Sequence, residues 1–176
     1  MIKKHWPVFL FLLILILLTY GNSLNNAFLS DDIAEIVQNP NIGNFSNIFT
    51  RPFGFIRLFL YWFAFHIGGL NPFVFRLINI FFHTGSVFLI YLLINHLYSK
   101  RLALFVAGIF AIHPAISEAV VWISGGMYPQ YTFFFLLSFL SYVLSKNNRK
   151  YYILSIISFL LAFMSHPQMP LLLFLV

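Results

Sequence analysis

FGFIRLFLYWFAFHI, residues Phe53 to Ile67, is the stretch on which the topology of this chain turns. It is apolar enough to enter a bilayer, yet it carries Arg57 and is bracketed by Arg51-Pro52 on one side and Gly68-Gly69 on the other. If it crosses the membrane, every later loop emerges on the opposite side; if it lies along the surface, the parity of the chain is unchanged. The choice is decided by the residues around it.

Of the 176 residues 61% are hydrophobic, 20% aromatic and only 8% charged. A soluble domain needs far more polar surface, so the fold class expected is all-α, a polytopic transmembrane helix bundle. Trp6 to Tyr20 holds no charge. At about 1.5 Å per residue, with its flanks, it approaches the roughly 30 Å of a bilayer core and reads as a first span. Lys3 and Lys4 before it would also suit a signal peptide, but the stretch is long and no small-x-small cleavage site follows cleanly. Further spans are expected at about 73–97, 102–123, 131–145 and 151–165, with a partial one over 170–176. Ser138, Ser141 and Ser145 share a face at small-residue spacing and read as helix packing. The chain has no cysteine, which removes disulfides and thiolate chemistry. Its formal charge of +6 sits at the ends of apolar segments, which points to membrane topology and not to a nucleic acid partner.

With Phe53 to Ile67 kept out of the bilayer, Lys3, Lys4, Lys100, Arg101, Lys146, Arg149 and Lys150 fall together on the cytoplasmic side. With it spanning, Lys100-Arg101 and the Lys146 to Lys150 cluster move outside while Lys3-Lys4 stays in. The first arrangement obeys the positive-inside rule. The expected architecture therefore has a cytoplasmic N-terminus, an extracytoplasmic loop over 21–72, and a helix over 53–67 lying in the outer interface, with Arg57 reaching headgroups and Tyr61 and Trp62 at the boundary. Asp31, Asp32, Glu35 and Glu118 all fall on or near the outer face.

That first loop is long, polar and rich in asparagine, as functional or disordered loops are. Ser30-Asp31-Asp32-Ile33-Ala34-Glu35 admits two readings: Asp32 and Glu35 form a capping box, or a carboxylate at the membrane surface serves as general base or cation ligand. Arg76, Asn79 and His83 lie at i, i+3 and i+7, on one face of the second span. Either they snorkel and bond between helices, or they form a polar wall beside a cavity. His113-Pro114 marks a helix break, with Pro114 starting a short helix and Glu118 in its first turns. His113 and Glu118 are thus structural, or line a ligand site. Arg51 suits a lipid phosphate, which guanidinium meets as a fork, or a plain headgroup contact.

The ordered set Asn25-Asn26-Ala27-Phe28-Leu29-Ser30-Asp31-Asp32, Arg51-Pro52, Gly69-Leu70-Asn71-Pro72 through Asn79 and His83, then His113-Pro114 through Glu118-Ala119-Val120 to Trp122-Ile123, resembles the C-type membrane glycosyltransferases (the GT-C superfamily), in the TMTC-like and protein O-mannosyltransferase branch. The resemblance implies an inverting enzyme that moves a sugar, mannose among the candidates, from a polyprenyl-phosphate donor to an extracytoplasmic hydroxyl, often on protein Ser or Thr. It implies that Asp31 or Asp32 is the catalytic base and that Arg51 and Arg76 meet the donor phosphate. Asn79, His83, His113 and Glu118 would then line the cavity. A divalent metal is compatible with the carboxylate pair, and no other cofactor is implied; the partners are the bilayer, the lipid-linked donor and an acceptor protein or glycan. Two departures stand out: Gly125-Gly126-Met127-Tyr128 replaces the group's Gly-Arg-x-Asp, and Ser165-His166-Pro167 replaces Ser-Lys-Glu. Because the group carries further spans, and its TMTC-like members helical repeats after them, the chain reads as an N-terminal part. The competing expectation is a non-enzymatic polytopic protein, a transporter or lipid-handling component, which should show internal repeats about a midplane site.

Overall fold

The computed structural model describes residues 5–166. Lys3, Lys4, Pro167 and the apolar run over 170–176 lie outside the described residues. All regular elements among the described residues are helical. The main ones are α1 (Trp6–Tyr20), α2 (Phe55–Gly68), α3 (Pro72–Leu97), α4 (Lys100–Ile112), α5 (Pro114–Val121), α6 (Met127–Leu144) and α7 (Arg149–Ser165). Two helical stretches, Trp6–Ser23 and α3, are long and apolar enough to cross a membrane, and the α4–α5 pair makes a third if counted as one span bent by 58°. The expected segment 102–123 is thus two helices, broken at His113-Pro114. The segments 131–145 and 151–165 fall in α6 and α7.

Local chemistry sets the ends of these helices. Asn71 caps α3 by accepting from the Phe73 amide, with Pro72 at the first helical position, where its missing N–H costs nothing. Ser99 caps α4 through the Leu102 amide, and Asn148 caps α7 through that of Lys150. Gly69, at φ +59°, closes α2 in a conformation that side-chain-bearing residues avoid.

Packing follows stripes spaced by four. Leu12, Ile16 and Tyr20 bury one face of α1, and Ala103, Ala107 and Ala111 bury one face of α4, where small side chains allow close backbone approach. Helix α3 runs through the middle against α1, α4 and α6. Helices α6 and α7 form an antiparallel pair: Ser138 donates to the Ser155 carbonyl at 2.9 Å, with Ser141 and Ser158 also buried. Ser145 lies in the following turn and bonds the Tyr142 carbonyl.

The bundle has two unlike ends. At one, tight turns join α3 to α4 and α6 to α7, gathering Lys100, Arg101, Lys146, Arg149 and Lys150 beside the start of α1. The other collects the end of α1, the loop from Gly21, α2, the start of α3, the α4–α5 break, the start of α6 and the end of α7. Helix α2 lies across this loop end, because both its ends touch it: Phe53, just before α2, packs edge-on against Phe163 of α7, and Gly68 abuts Val74 of α3. Two expectations for α2 change. Arg57 turns inward to pair with Glu35, and Tyr61 is buried, donating to the Ile123 carbonyl at 3.5 Å. A buried cation or hydroxyl needs a partner, and here both have one. Burial pushes the Tyr61 pKa well above its ordinary value, so it acts as a neutral donor.

Candidate functional site

The loop end is built around carbonyls left over by the α4–α5 break. At the start of α5 the Ala115 amide bonds the His113 imidazole, 3.2 Å away, instead of the Ala111 carbonyl. His83 of α3 supplies that carbonyl with a donor at 3.1 Å. At the other end of α5, the chain turns through Trp122 to Gly126. Asn79 donates to the Trp122 and Ile123 carbonyls at 3.1 and 3.5 Å, and Arg76 donates to Val121 at 3.0 Å. The i, i+3, i+7 face therefore pairs the broken helix with α3, since a buried carbonyl without a donor is costly.

Arg76 is 1% exposed and also donates to the carbonyls of Asn26 and Ala27, fastening the first loop to α3. Its guanidinium is taken up by backbone oxygens. Gly126 makes this closeness possible. A Cβ there would overlap the Asn79 side-chain amide, so Gly126→Ala is expected to destabilise the protein by about 1–3 kcal/mol, read as a lowered melting temperature in detergent.

The two neighbouring aspartates separate sharply. Asp32 is fully buried. One of its oxygens accepts from the Ser124 amide and hydroxyl at 2.8 and 2.6 Å, and the other accepts from the Leu29 amide at 3.2 Å. It makes no capping bond to the turn that follows, a single π-type turn over Ile33–Val37, so the capping-box reading fails: a partner 92 residues away claims the carboxylate. Asp31 is exposed, touching the Ser30 hydroxyl at 3.4 Å. Ser30 itself adopts φ +51°, a left-handed conformation that a residue with a side chain holds only where its surroundings enforce it. The Leu29–Asp32 turn, closed in both directions, does so.

Glu35 and Arg57 are the partners that sequence reasoning missed. Arg57 meets both oxygens of Glu35, at 3.1 and 3.3 Å, and Arg51 approaches the same carboxylate at 3.6 Å. Opposite charges in one loop region were the available signal. Ser124, by contrast, carried none.

Three cavities open around these groups. One of about 370 Å³ is bordered by Ser30, Arg76, Glu118 and Trp122. A second, about 590 Å³, shares Glu118 and Trp122 with the first and continues past His83, Tyr128 and Tyr131. Glu118, exposed on α5, thus stands between them, one helical turn before Trp122 on the same face. A third, about 370 Å³, is lined by Arg51, Phe53, Arg57, Met127 and His166. The His166 pKa is lowered, first by burial and then by Arg57. Of the expected cavity residues, His83 and Glu118 border these spaces, as do Arg51 and Arg76, expected at the donor phosphate, whereas Asn79 and His113 serve as interhelical donor and helix cap. No group of three or more His, Asp or Glu side chains suited to a metal ion comes together among the described residues.

Residues 52–176 match the family described as Dolichyl-phosphate-mannose-protein mannosyltransferase. Among curated proteins, Protein O-mannosyl-transferase TMTC1 of Homo sapiens is 34% identical over 145 residues, 71% of this chain and 16% of that protein. Tmtc1 of Drosophila melanogaster is 28% identical over 153 residues, 75% of this chain and 18% of that one. TMTC2 of Mus musculus is 37% identical over 86 residues, 48% of this chain and 10% of that protein. The chain thus spans less than a fifth of the length of these relatives. No solved structure matches it significantly.

Proposed function

The chain belongs to the family of dolichyl-phosphate-mannose-protein mannosyltransferases, and from that membership we propose that it forms part of an integral membrane glycosyltransferase that moves a sugar from a polyprenyl phosphate to a hydroxyl acceptor. Mannose on a dolichyl phosphate is the favoured donor, and protein Ser or Thr the favoured acceptor. The observation that carries the reading is the division of labour in the Asp31-Asp32 pair. A buried carboxylate locks the turn, and an exposed one is presented from it beside a cavity.

In the proposed reaction Asp31 takes the proton from the acceptor hydroxyl as its oxygen forms a bond to the anomeric carbon. The bond from that carbon to the phosphate oxygen breaks in the same displacement, so configuration inverts and the lipid phosphate leaves with the electron pair. Negative charge grows on that phosphate, which is where a fixed cation helps most. Arg51, with 63% of its side chain exposed, has free N–H groups to offer; Arg76 has its donors committed to carbonyls and contributes through its charge. Glu118 would face the acceptor, across the cavity that Ser30 borders. Clustering of basic residues at the turn end supports a cytoplasmic location for that end and an extracytoplasmic one for the loop end.

The test is transfer of labelled mannose from dolichyl phosphate mannose to a Ser/Thr-rich acceptor by the full-length protein in proteoliposomes. Transfer at several times the rate of protein-free vesicles is expected. No transfer from any polyprenyl-phosphate sugar offered would end the proposal.

A further inference from the structure

Glu35 sits between two arginines of very different freedom. Arg57, 14% exposed, donates to one Glu35 oxygen at 3.3 Å, holds its charge 3.1 Å from the other, and lies 5.9 Å over the Tyr61 ring. One charge-assisted hydrogen bond and one close charge contact hold the carboxylate. Arg51 then approaches one of the fixed oxygens from solvent, at 3.6 Å.

Arg51 also separates two cavities of similar size and different character. On one side, about 380 Å³ is walled by Glu35, Gln38, Asn47 and Thr50, amides and hydroxyls suited to a polyhydroxylated ligand. On the other, about 370 Å³ is walled by Phe53, Met127 and His166 with Arg57, apolar surface with cationic edges, opening toward the ends of α6 and α7. Asp31 and Glu35 are one turn apart on the outward side of their segment, and Asp32 and Ile36 one turn apart on the buried side. Asp31, next to Ser30 of the cavity that Glu118 borders, is exposed one turn from Glu35 of the polar cavity. Two guanidinium groups against one carboxylate leave net positive charge at the dividing wall.

We infer that Glu35 is a positioning residue: clamped by Arg57, it holds Arg51 on the wall between a sugar-side and a lipid-side cavity, where the phosphate of a polyprenyl phosphate binds. This rests on the proposed function for the identity of the ligand, while the clamp itself stands on geometry.

Simple charge counting gives the opposite sign, which makes the inference testable. By Coulomb's law alone, Glu35→Gln removes a negative neighbour and should tighten phosphate binding, and Arg57→Lys, which keeps the charge, should be silent. Positioning requires both to weaken it. The full-length protein in nanodiscs is titrated with a short-chain polyprenyl phosphate bearing no sugar, with the matching polyprenol and inorganic phosphate as controls. Expected are roughly three- to fivefold weaker binding for Glu35→Gln and for Arg57→Lys, the scale of an exposed ion pair. Arg51→Gln, at an exposed site that does not endanger folding, should weaken binding at least about tenfold, the worth of a charged hydrogen bond. Polyprenol binding should not change in any variant. Unchanged or tighter binding by Glu35→Gln overturns the positioning role, and so does a silent Arg57→Lys. Inorganic phosphate binding as tightly as the lipid phosphate overturns the lipid-side cavity. If lipid phosphate follows this pattern while no sugar is transferred, the enzymatic reading fails and this one stands; transfer that ignores all three variants does the reverse.

Discussion

Asp31→Asn is expected to lower sugar transfer by at least about a hundredfold while leaving the melting temperature of the protein unchanged, the range set by removal of a general base. The side chain is exposed and its contact with Ser30 is long, so the fold loses little with its charge. Its neighbour behaves differently. Asp32→Asn puts an NH2 group where either Ser124 or the Leu29 amide now donates, setting donor against donor in a fully buried site. Charge-assisted hydrogen bonds of this kind are worth about 1.5–3 kcal/mol each, so the melting temperature should fall and activity should fall with it. Transfer rates and thermal melts on the same two full-length variants separate the roles. An active Asp31→Asn beside an inactive, fully stable Asp32→Asn would exchange them.

Arg76→Met is the second large effect. Three backbone carbonyls lose their donor at once: Val121 at the end of α5, and Asn26 and Ala27 in the first loop. A buried acceptor left unpaired costs about 1–3 kcal/mol. Asn26 and Ala27 belong to exposed residues and recover part of this from water, so a total near 3 kcal/mol is expected. The loss should appear twice, as a lower melting temperature and as faster protease cleavage between Asn22 and Leu29, where the loop is no longer tied down. Arg76→Lys keeps the charge but not the fork and should fall between. A melting temperature indifferent to Arg76→Met would refute the account of this residue as a carbonyl clip.

Much of the bundle was legible because its signals are local. Uncharged runs as long as a bilayer is thick and proline after His113 each act within a few residues of where they stand. The polar face of α3 was legible for the same reason, as a matter of helical spacing. The work of that face was not, because it depends on carbonyls freed some forty residues later in the chain. Capping and catalysis competed over Asp32 in the same way. Only the long-range bond to Ser124 decides against the cap, and no spacing rule reaches that far. Arg57 looked like a headgroup ligand because an arginine in an apolar helix has few local options, and its acidic partner came from a loop whose path the sequence left open.

The break at residues 121–124 receives both Arg76, which holds Asn26 and Ala27, and the Asp32 carboxylate. One short segment therefore governs the position of the loop on both sides of Ser30. Mechanically, residues 26–32 are tied to α3 and to the turn before α6, whereas residues 38–54 are tied elsewhere, to Glu35, α2 and α7. The first loop is thus anchored from two sides, through the turn before α6 and through α2.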